Sequence, residues 1–269
     1  MGMIDATARV AAGATIAEDV EIGPYCIVGP HVELGPGVRL LSHVNVTGHT
    51  SVGARTVVYP FASLGAPPQS VHYRGGPTRL VIGADCQIRE GCTANIGTED
   101  GRGVTRIGDG CFMMVGSHVG HDCEVGNHVT FANNAVLAGH VSVGDYVFFG
   151  GQAAVRQFVR IGAGVMVAGL TGIRADIIPW SMVEGRIGHL AGLNVVGLRR
   201  RGFAKADIQR LRAAYRELFF GEGTFRSRVE AVAARKDDPP VADVIAFLAA
   251  NGDRPLTMGV RRAEANAEP

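Results

Sequence analysis

Aromatic side chains are scarce in this sequence: they make up 6% of 269 residues, with a single tryptophan. A core of large interlocking rings is therefore excluded, and aliphatic packing must carry the fold. Net charge is nearly absent too, at +1 with histidine neutral. That removes any global reason to expect nucleic acid; a charge-driven partner would have to use a local patch. No run approaches the roughly 18 uninterrupted apolar residues that a spanning helix needs, so no membrane span is expected. The N-terminal Met1-Gly-Met-Ile-Asp-Ala-Thr7 has no basic region followed by an apolar one, and no signal peptide is visible. Glycine is abundant, yet without a Gly-X-Y period, which excludes collagen. The expectation is a soluble cytoplasmic protein of one large domain or two modest ones.

What is present is a repeat of six. From Ile4 an aliphatic residue returns at Val10, Ile16, Ile22, Val28, Leu34, Leu40, Val46, Val52, Val58 and Leu64. The rhythm resumes at Ile82 and Ile88, with Ala94 weaker, and then runs from Ile107 to Ile173. A helix cannot hold this period on one face, because six steps of about 100° overshoot a turn by about 240°. Short strands joined by tight turns can, three to a triangular coil of about 18 residues. Position one fills the core of each strand, and position five packs beside a corner. Glycine often follows position one, as at Gly23, Gly53, Gly83, Gly108 and Gly126, where corners needing positive φ or close backbone approach would use it. Cys26, Cys86, Cys92, Cys111 and Cys123 all fall at position five; their number is odd and their spacing fits no metal motif, so they read as buried structural thiols.

Two interruptions, Gly65 to Leu80 and Thr98 to Arg106, leave the wall, and such excursions tend to be functional. The repeat stops near Ile178-Pro179-Trp180. Beyond it Ile208, Leu211, Tyr215, Leu218 and Phe219 recur at helical spacing. A second helix starts at Thr224 and carries Val229 and Val232. A third follows Asp238, with Pro239-Pro240 at its start and Asn251-Gly252 as its stop. The tail from Arg261 reads as poorly ordered. The fold class is mainly β: a parallel β-helix over residues 1–188, then a small C-terminal α-helical domain over 189–269.

The richest chemistry lies in Gly116 to Asn127. His121 stands at the outward third position of its hexad with Asp122 next to it, and an imidazole beside a carboxylate can serve as a general base. Such a pair also occurs on ordinary solvated turns. One coil carries His121 onto Gly139 and another carries it onto Gln157. A base beside an unshielded backbone N–H suits acyl transfer, provided that the ladder leaves the N–H unpaired. His118 and His140 flank the column, either lining a substrate or merely facing solvent. His31, His43, His49 and His128, at position four, read as turn residues. A second feature is the basic run Leu198-Arg-Arg-Arg-Gly-Phe203, followed by Lys205, Arg210, Arg212 and Arg216; in a near-neutral chain it favours an acidic or phosphate-bearing partner.

Taken together, Ile22 to Glu33, His118 to Asn127, Ala132 to Val143, Gln157-Phe158 and Gly197 to Phe203 resemble the acyl-[acyl-carrier-protein]–UDP-N-acetylglucosamine O-acyltransferases of lipid A biosynthesis, across nearly the whole chain. The resemblance implies a left-handed coil, against the usual crossover rule, and a homotrimer with sites between subunits. It implies transfer of an (R)-3-hydroxyacyl group from acyl carrier protein to the 3-position of UDP-N-acetylglucosamine. In that scheme His121 is the base, Asp122 orients it, and the Gly139 N–H stabilises the oxyanion. His118, His140, Gln157, Asn194, Arg200 and Arg201 bind substrate or carrier, Gly169 lines the acyl pocket, and neither metal nor cofactor is expected. Gln69, Ser70 and His72 in the first excursion belong to the same surroundings, with Ser70 and His72 where the family commonly has Asp and Lys. Asn95 stands where His is frequent and Val196 where Glu is frequent. These departures leave open an acceptor with an amine at C3. The related N-acyltransferases carry an N-terminal uridine-binding domain for which a repeat beginning at Ile4 leaves no room. Two rival readings come from different classes: a γ-carbonic-anhydrase-like metalloenzyme using histidines across a trimer interface, with His118 and His121 as candidate ligands, and a non-catalytic scaffold.

Overall fold

The structure, a computed structural model, describes residues 2–235, 237–250 and 254–259. The expected stop at Asn251-Gly252 and the tail from Arg261 lie outside the described residues. The hexads form short strands, most of two residues, which stack into three sheets of nine, eight and ten strands, parallel except for the last strand of the third. Each strand pairs with the third one after it, so the chain winds as a left-handed parallel β-helix with three flat faces. The first face begins at Arg9–Val10, the second at Thr15–Ile16 and the third at Glu21–Ile22.

Position one makes the core. On the first face Val28, Val46, Leu64, Ala94, Val119, Leu137, Val155 and Ile173 lie in register, all buried. All five cysteines are buried and none forms a disulfide, as position five demands. Their thiols are held in the neutral form where burial dominates: Cys123 is pushed up to about 12.

Gly65, after Leu64, has positive φ (79°), but Gly23, Gly53, Gly83, Gly108 and Gly126 do not. They are needed for close approach: a Cβ on Gly53 would sit 2.5 Å from the Gly83 carbonyl carbon in the next coil. The left-handed corner residue is position four. Every non-glycine residue with positive φ among the described residues stands there, from Tyr25 through Asp122 and His140 to Trp180. His43 and His128 are such corner residues. His49 is not; it opens the strand His49–Val52 and stacks on His31 at 4.4 Å.

Both excursions leave the register of the wall intact. Across the first, partners are thirty residues apart (Val52 and Ile82) where the repeat needs eighteen; across the second, they are twenty-five apart (Ile82 and Ile107). The inserted loops are shorter than the sequence suggested, spanning 67–78 and 96–103, because the flanking residues join strands Ser63–Ala66, Arg79–Ile82 and Val104–Ile107.

The coil continues past Trp180 through Ser181–Glu184, which pairs with Met166–Val167 and then, antiparallel, with His189–Leu193. Among the described residues four helices follow: α1 (Val195–Arg200), α2 (Lys205–Phe220), α3 (Phe225–Ala233) and α4 (Pro239–Ala249). The sequence pattern does not show α1, which is too short for periodicity; the Asn194 side chain caps it by accepting the Gly197 N–H at 2.9 Å. Thr224 caps α3 and two prolines open α4, as expected. The segment 254–259 returns to the coil, where Leu256 pairs with Asp176 and Gly259 with Leu190.

Candidate active site

The corner between the first and second faces carries His121. The strand His118–Val119 ends there and Glu124–Val125 begins beyond it. Asp122 takes the left-handed corner conformation, φ 57°, which an aspartate tolerates better than most residues. That corner turns the carboxylate inward and leaves it fully buried, while His121 lies over it with 18% of its side chain exposed. His121 Nδ1 sits 2.9 Å from Asp122 Oδ2. An ionised carboxylate can only accept, so Nδ1 carries the proton and Nε2 presents its lone pair outward.

Asp122 is held from behind by the second excursion. Its oxygens accept from the Thr98 N–H at 3.0 and 3.1 Å, the Thr98 hydroxyl at 2.6 Å and the Gly103 N–H at 3.0 Å. Burial works to raise its carboxyl, but the hydrogen bonds from Thr98 and His121, with His140 nearby, bring it below the ordinary carboxylate value. His140 crosses His121 edge-on at 4.9 Å and stacks flat on Phe158 at 4.4 Å. Burial and the neighbouring His121 and Arg102 outweigh the Asp122 charge, so His140 is pushed down from 6.5.

Gly139 lies one coil above His121. Its neighbours Ala138 and His140 donate to Val155 and His121 carbonyls, but the Gly139 N–H has no acceptor among the described residues. A Cβ at 139 would fall 2.6 Å from His121 Nε2. The unpaired donor and the free lone pair therefore lie close together at this corner.

A cavity of about 430 Å³ opens onto His121, bounded by Ser70, His72, Thr98, Arg102, His140 and Phe158 among others. Thr98 and Arg102 were not identified from the sequence; the signal was the second excursion itself, whose purpose only the fold reveals. Asn95 does not reach this cavity. It is buried and donates to the Ala66 and Pro67 carbonyls, anchoring the first excursion. Gln69 and Gln157 are exposed, the latter one coil beyond Gly139.

His118 points elsewhere. At position six it projects from the first face, hydrogen-bonds Thr93 at 2.7 Å, and is pushed down from 6.5 by burial and by His121. It borders a separate groove with Val136, Ala154 and Arg156. The His118–His121 metal site is thus not formed within the chain. His121, Asp122 and His140 do bring one donor atom each within 4.8 Å of one another. Asp122, however, has both oxygens engaged by N–H and O–H donors, a poor ligand set for a cation.

Asn194, Arg200 and Arg201 gather at the corner between the second and third faces, in a cavity of about 500 Å³ with Tyr146, Phe148, Met166 and Val196. The Arg201 guanidinium lies 3.5 Å from the Tyr146 ring centre, and burial lowers its pKa. Gly169 lies at the remaining corner, between the third and first faces, where a Cβ would approach the Gly151 carbonyl oxygen at 3.2 Å. Within one chain the expected site residues thus occupy three different corners.

Comparison with known proteins identifies the family. Residues 176–257 match the family model described as UDP N-acetylglucosamine O-acyltransferase, domain 2, and residues 105–139 match the bacterial transferase hexapeptide. The chain is 60% identical over 257 residues, 95% of each sequence, to the acyl-[acyl-carrier-protein]–UDP-N-acetylglucosamine O-acyltransferase of Azorhizobium caulinodans. The chain belongs to that family. The family's protein from Caulobacter vibrioides is 50% identical over 210 residues, covering 78% of this chain and 80% of that one. A crystal structure of a UDP-N-acetylglucosamine acyltransferase superposes with a TM-score of 0.92 at 37% identity, covering 96% of this chain and 100% of that one. The structure of LpxA from Acinetobacter baumannii does so at 0.90 and 38%, covering 96% and 99%.

Proposed function

We propose that this chain transfers an (R)-3-hydroxyacyl group from acyl carrier protein to the 3-hydroxyl of UDP-N-acetylglucosamine, the first step of lipid A biosynthesis. The observation that carries the reading is the pairing of a tautomer-fixed His121 with the unpaired N–H of Gly139. His121 Nε2 takes the proton of the sugar hydroxyl as its oxygen attacks the thioester carbonyl. The Gly139 N–H receives the developing oxyanion. Collapse of the tetrahedral intermediate expels the carrier thiolate, which recovers the proton from the imidazolium. Asp122 stabilises that imidazolium, and His140 and Phe158 wall the site.

We also propose a homotrimer. The exposed apolar residues Tyr25, Phe61, Val115 and Leu170 mark the third–first corner, and the outward residues Phe148 and Met166 lie on the third face. The second face instead presents Arg79, Arg106, Glu124 and Arg160. A three-fold axis along the apolar corner would bury the first and third faces and leave the charged one in water. The His121 corner of one subunit would then meet the Tyr146–Arg201 corner of the next. Asn194, Arg200 and Arg201 would reach the nucleotide sugar or the carrier, with His118 in the shared wall and Gly169 toward the inner end of an acyl groove. Ser70 and His72 line the His121 cavity, so a UDP sugar with an amine at C3 is a second acceptor to compare.

The test is acyl transfer from (R)-3-hydroxyacyl-acyl carrier protein to both acceptors, wild type beside His121→Ala, with mass measured by sedimentation. Transfer to the hydroxyl sugar that collapses in the variant supports the proposal. No transfer to either acceptor by folded wild-type protein overturns it, and strong preference for the amino sugar corrects the acceptor.

A further inference from the structure

The second excursion is larger than the corner needs. Two coils above, the same corner passes from Val136–Leu137 to Ser142–Val143 with no inserted residue. The insertion wraps the Asp122 carboxylate instead. Gly97 and Gly101 let the loop backbone close on it: a Cβ at 97 would meet Asp122 Oδ1 at 2.9 Å, and one at 101 would meet Oδ2 at 2.5 Å. Thr98 then donates twice, through its N–H and its hydroxyl, and Gly103 once. The loop is fastened by Arg102, whose guanidinium donates to the Asp122 backbone carbonyl at 2.7 Å and the Ser142 hydroxyl at 2.8 Å, spanning two coils.

We propose that Thr98 is a positioning residue for acyl transfer, acting through Asp122 on His121, and that Arg102 latches the loop that carries it. This rests on His121 being the base. A carboxylate with both oxygens bound cannot rotate, so the His121 Nδ1–H keeps one direction and Nε2 stays aimed beside the Gly139 N–H. The charged or titratable groups facing Asp122 are His121 at 2.9 Å, His140 at 3.9 Å and Arg102, which touches its carbonyl and not its carboxylate. Without the loop's donors this buried carboxylate would have only imidazole partners. Removing a donor to the charged form raises the proton affinity of the Asp122–His121 pair, which moves the acidic limb of the rate profile to higher pH.

The experiment compares Thr98→Val, Thr98→Ser and Arg102→Met in the wild-type background, and Thr98→Val in His121→Ala. Thr98→Val should lower kcat roughly tenfold, a fraction of what a general base supplies, with KM for the UDP sugar within about twofold. The acidic limb of kcat/KM should rise, and Thr98→Ser should restore both. Arg102→Met should shift both in the same direction by less. In His121→Ala, Thr98→Val should cost nothing further, since the two act as a unit. Wild-type kcat and limb in Thr98→Val, or an equal further loss in the His121→Ala background, would overturn the proposal. Carbon-13 NMR titration of the Asp122 carboxyl separates this from the functional reading, because it needs no turnover: an unmoved titration in Thr98→Val rejects the clamp even if transfer is confirmed.

Discussion

Two corners of the same coil invite comparison. At one, His140 stacks on Phe158 at 4.4 Å; at the other, His128 stacks on Tyr146 at 5.0 Å, and both pairs are within 8° of parallel. Both histidines take position four and both have positive φ. The backbone has made the same turn twice. What differs is what has been added around it: one corner receives two inserted loops, the first lining the cavity and the second bringing donors to a buried carboxylate, while the other receives Asn194, Arg200 and Arg201 from the chain beyond the coil. The repeat places side chains in register, but it does not make them chemical. Reactivity enters with the residues that break the repeat.

The largest expected effect that would test this difference is at the base. His121→Ala should reduce transfer by about 10²- to 10⁴-fold with the fold intact by circular dichroism; a residual rate near wild type would mean that the loop-decorated corner is no more catalytic than its counterpart. Gly139→Ala comes next. Because Gly139 has ordinary φ, the backbone tolerates alanine, but the methyl group lands 2.6 Å from His121 Nε2. A loss of roughly 10²-fold in kcat is expected, whereas Gly151→Ala, also at position three, meets nothing closer than 3.5 Å and should leave the melting temperature within about 2 °C. At the other corner Tyr146→Ala removes the ring under Arg201, and KM should rise about fivefold with kcat little changed, corresponding to about 1 kcal/mol of cation–π contact. A kcat collapse there would erase the division of labour between the corners.

The smallest effect concerns pH and stability. His118 and His140 are held below 6.5 in the folded chain, so the unfolded chain binds more protons as pH falls below 6.5. Their contribution is present above 6.5 and lost as pH drops through the folded values. Asp122, lowered from 3.8, adds a second loss that starts only below about that value. Melting temperatures at pH 7.5 and 5.5 should therefore differ, and the gap should narrow in His118→Gln.

Much of this was legible in the sequence because a period of six has few structural solutions. The core, the buried cysteines, helices α2 to α4 and the His121–Gly139 stacking all follow from counting. Position four was harder: its occupants, among them Tyr25, Arg55, Asp122 and Gln152, share no composition, because the left-handed corner is imposed by the coil and not chosen by the residue. His118 was misplaced relative to its neighbours for a related reason. Position six projects from a face and position three from a corner, so the three residues between His118 and His121 decide between two different grooves. Thr98 and Arg102 could not be found by register at all, since an inserted loop has none.

The preserved register across the two insertions has a further consequence. After twelve extra residues, and again after seven, the strands resume their stacking as though nothing had intervened. Each coil answers only to the ones directly above and below it, so a loop grown at a corner imposes no repacking on distant coils. Such a wall separates inventing a site from keeping a fold: new chemistry can be tried at any corner, kept or discarded, while the rest of the molecule stays as it was.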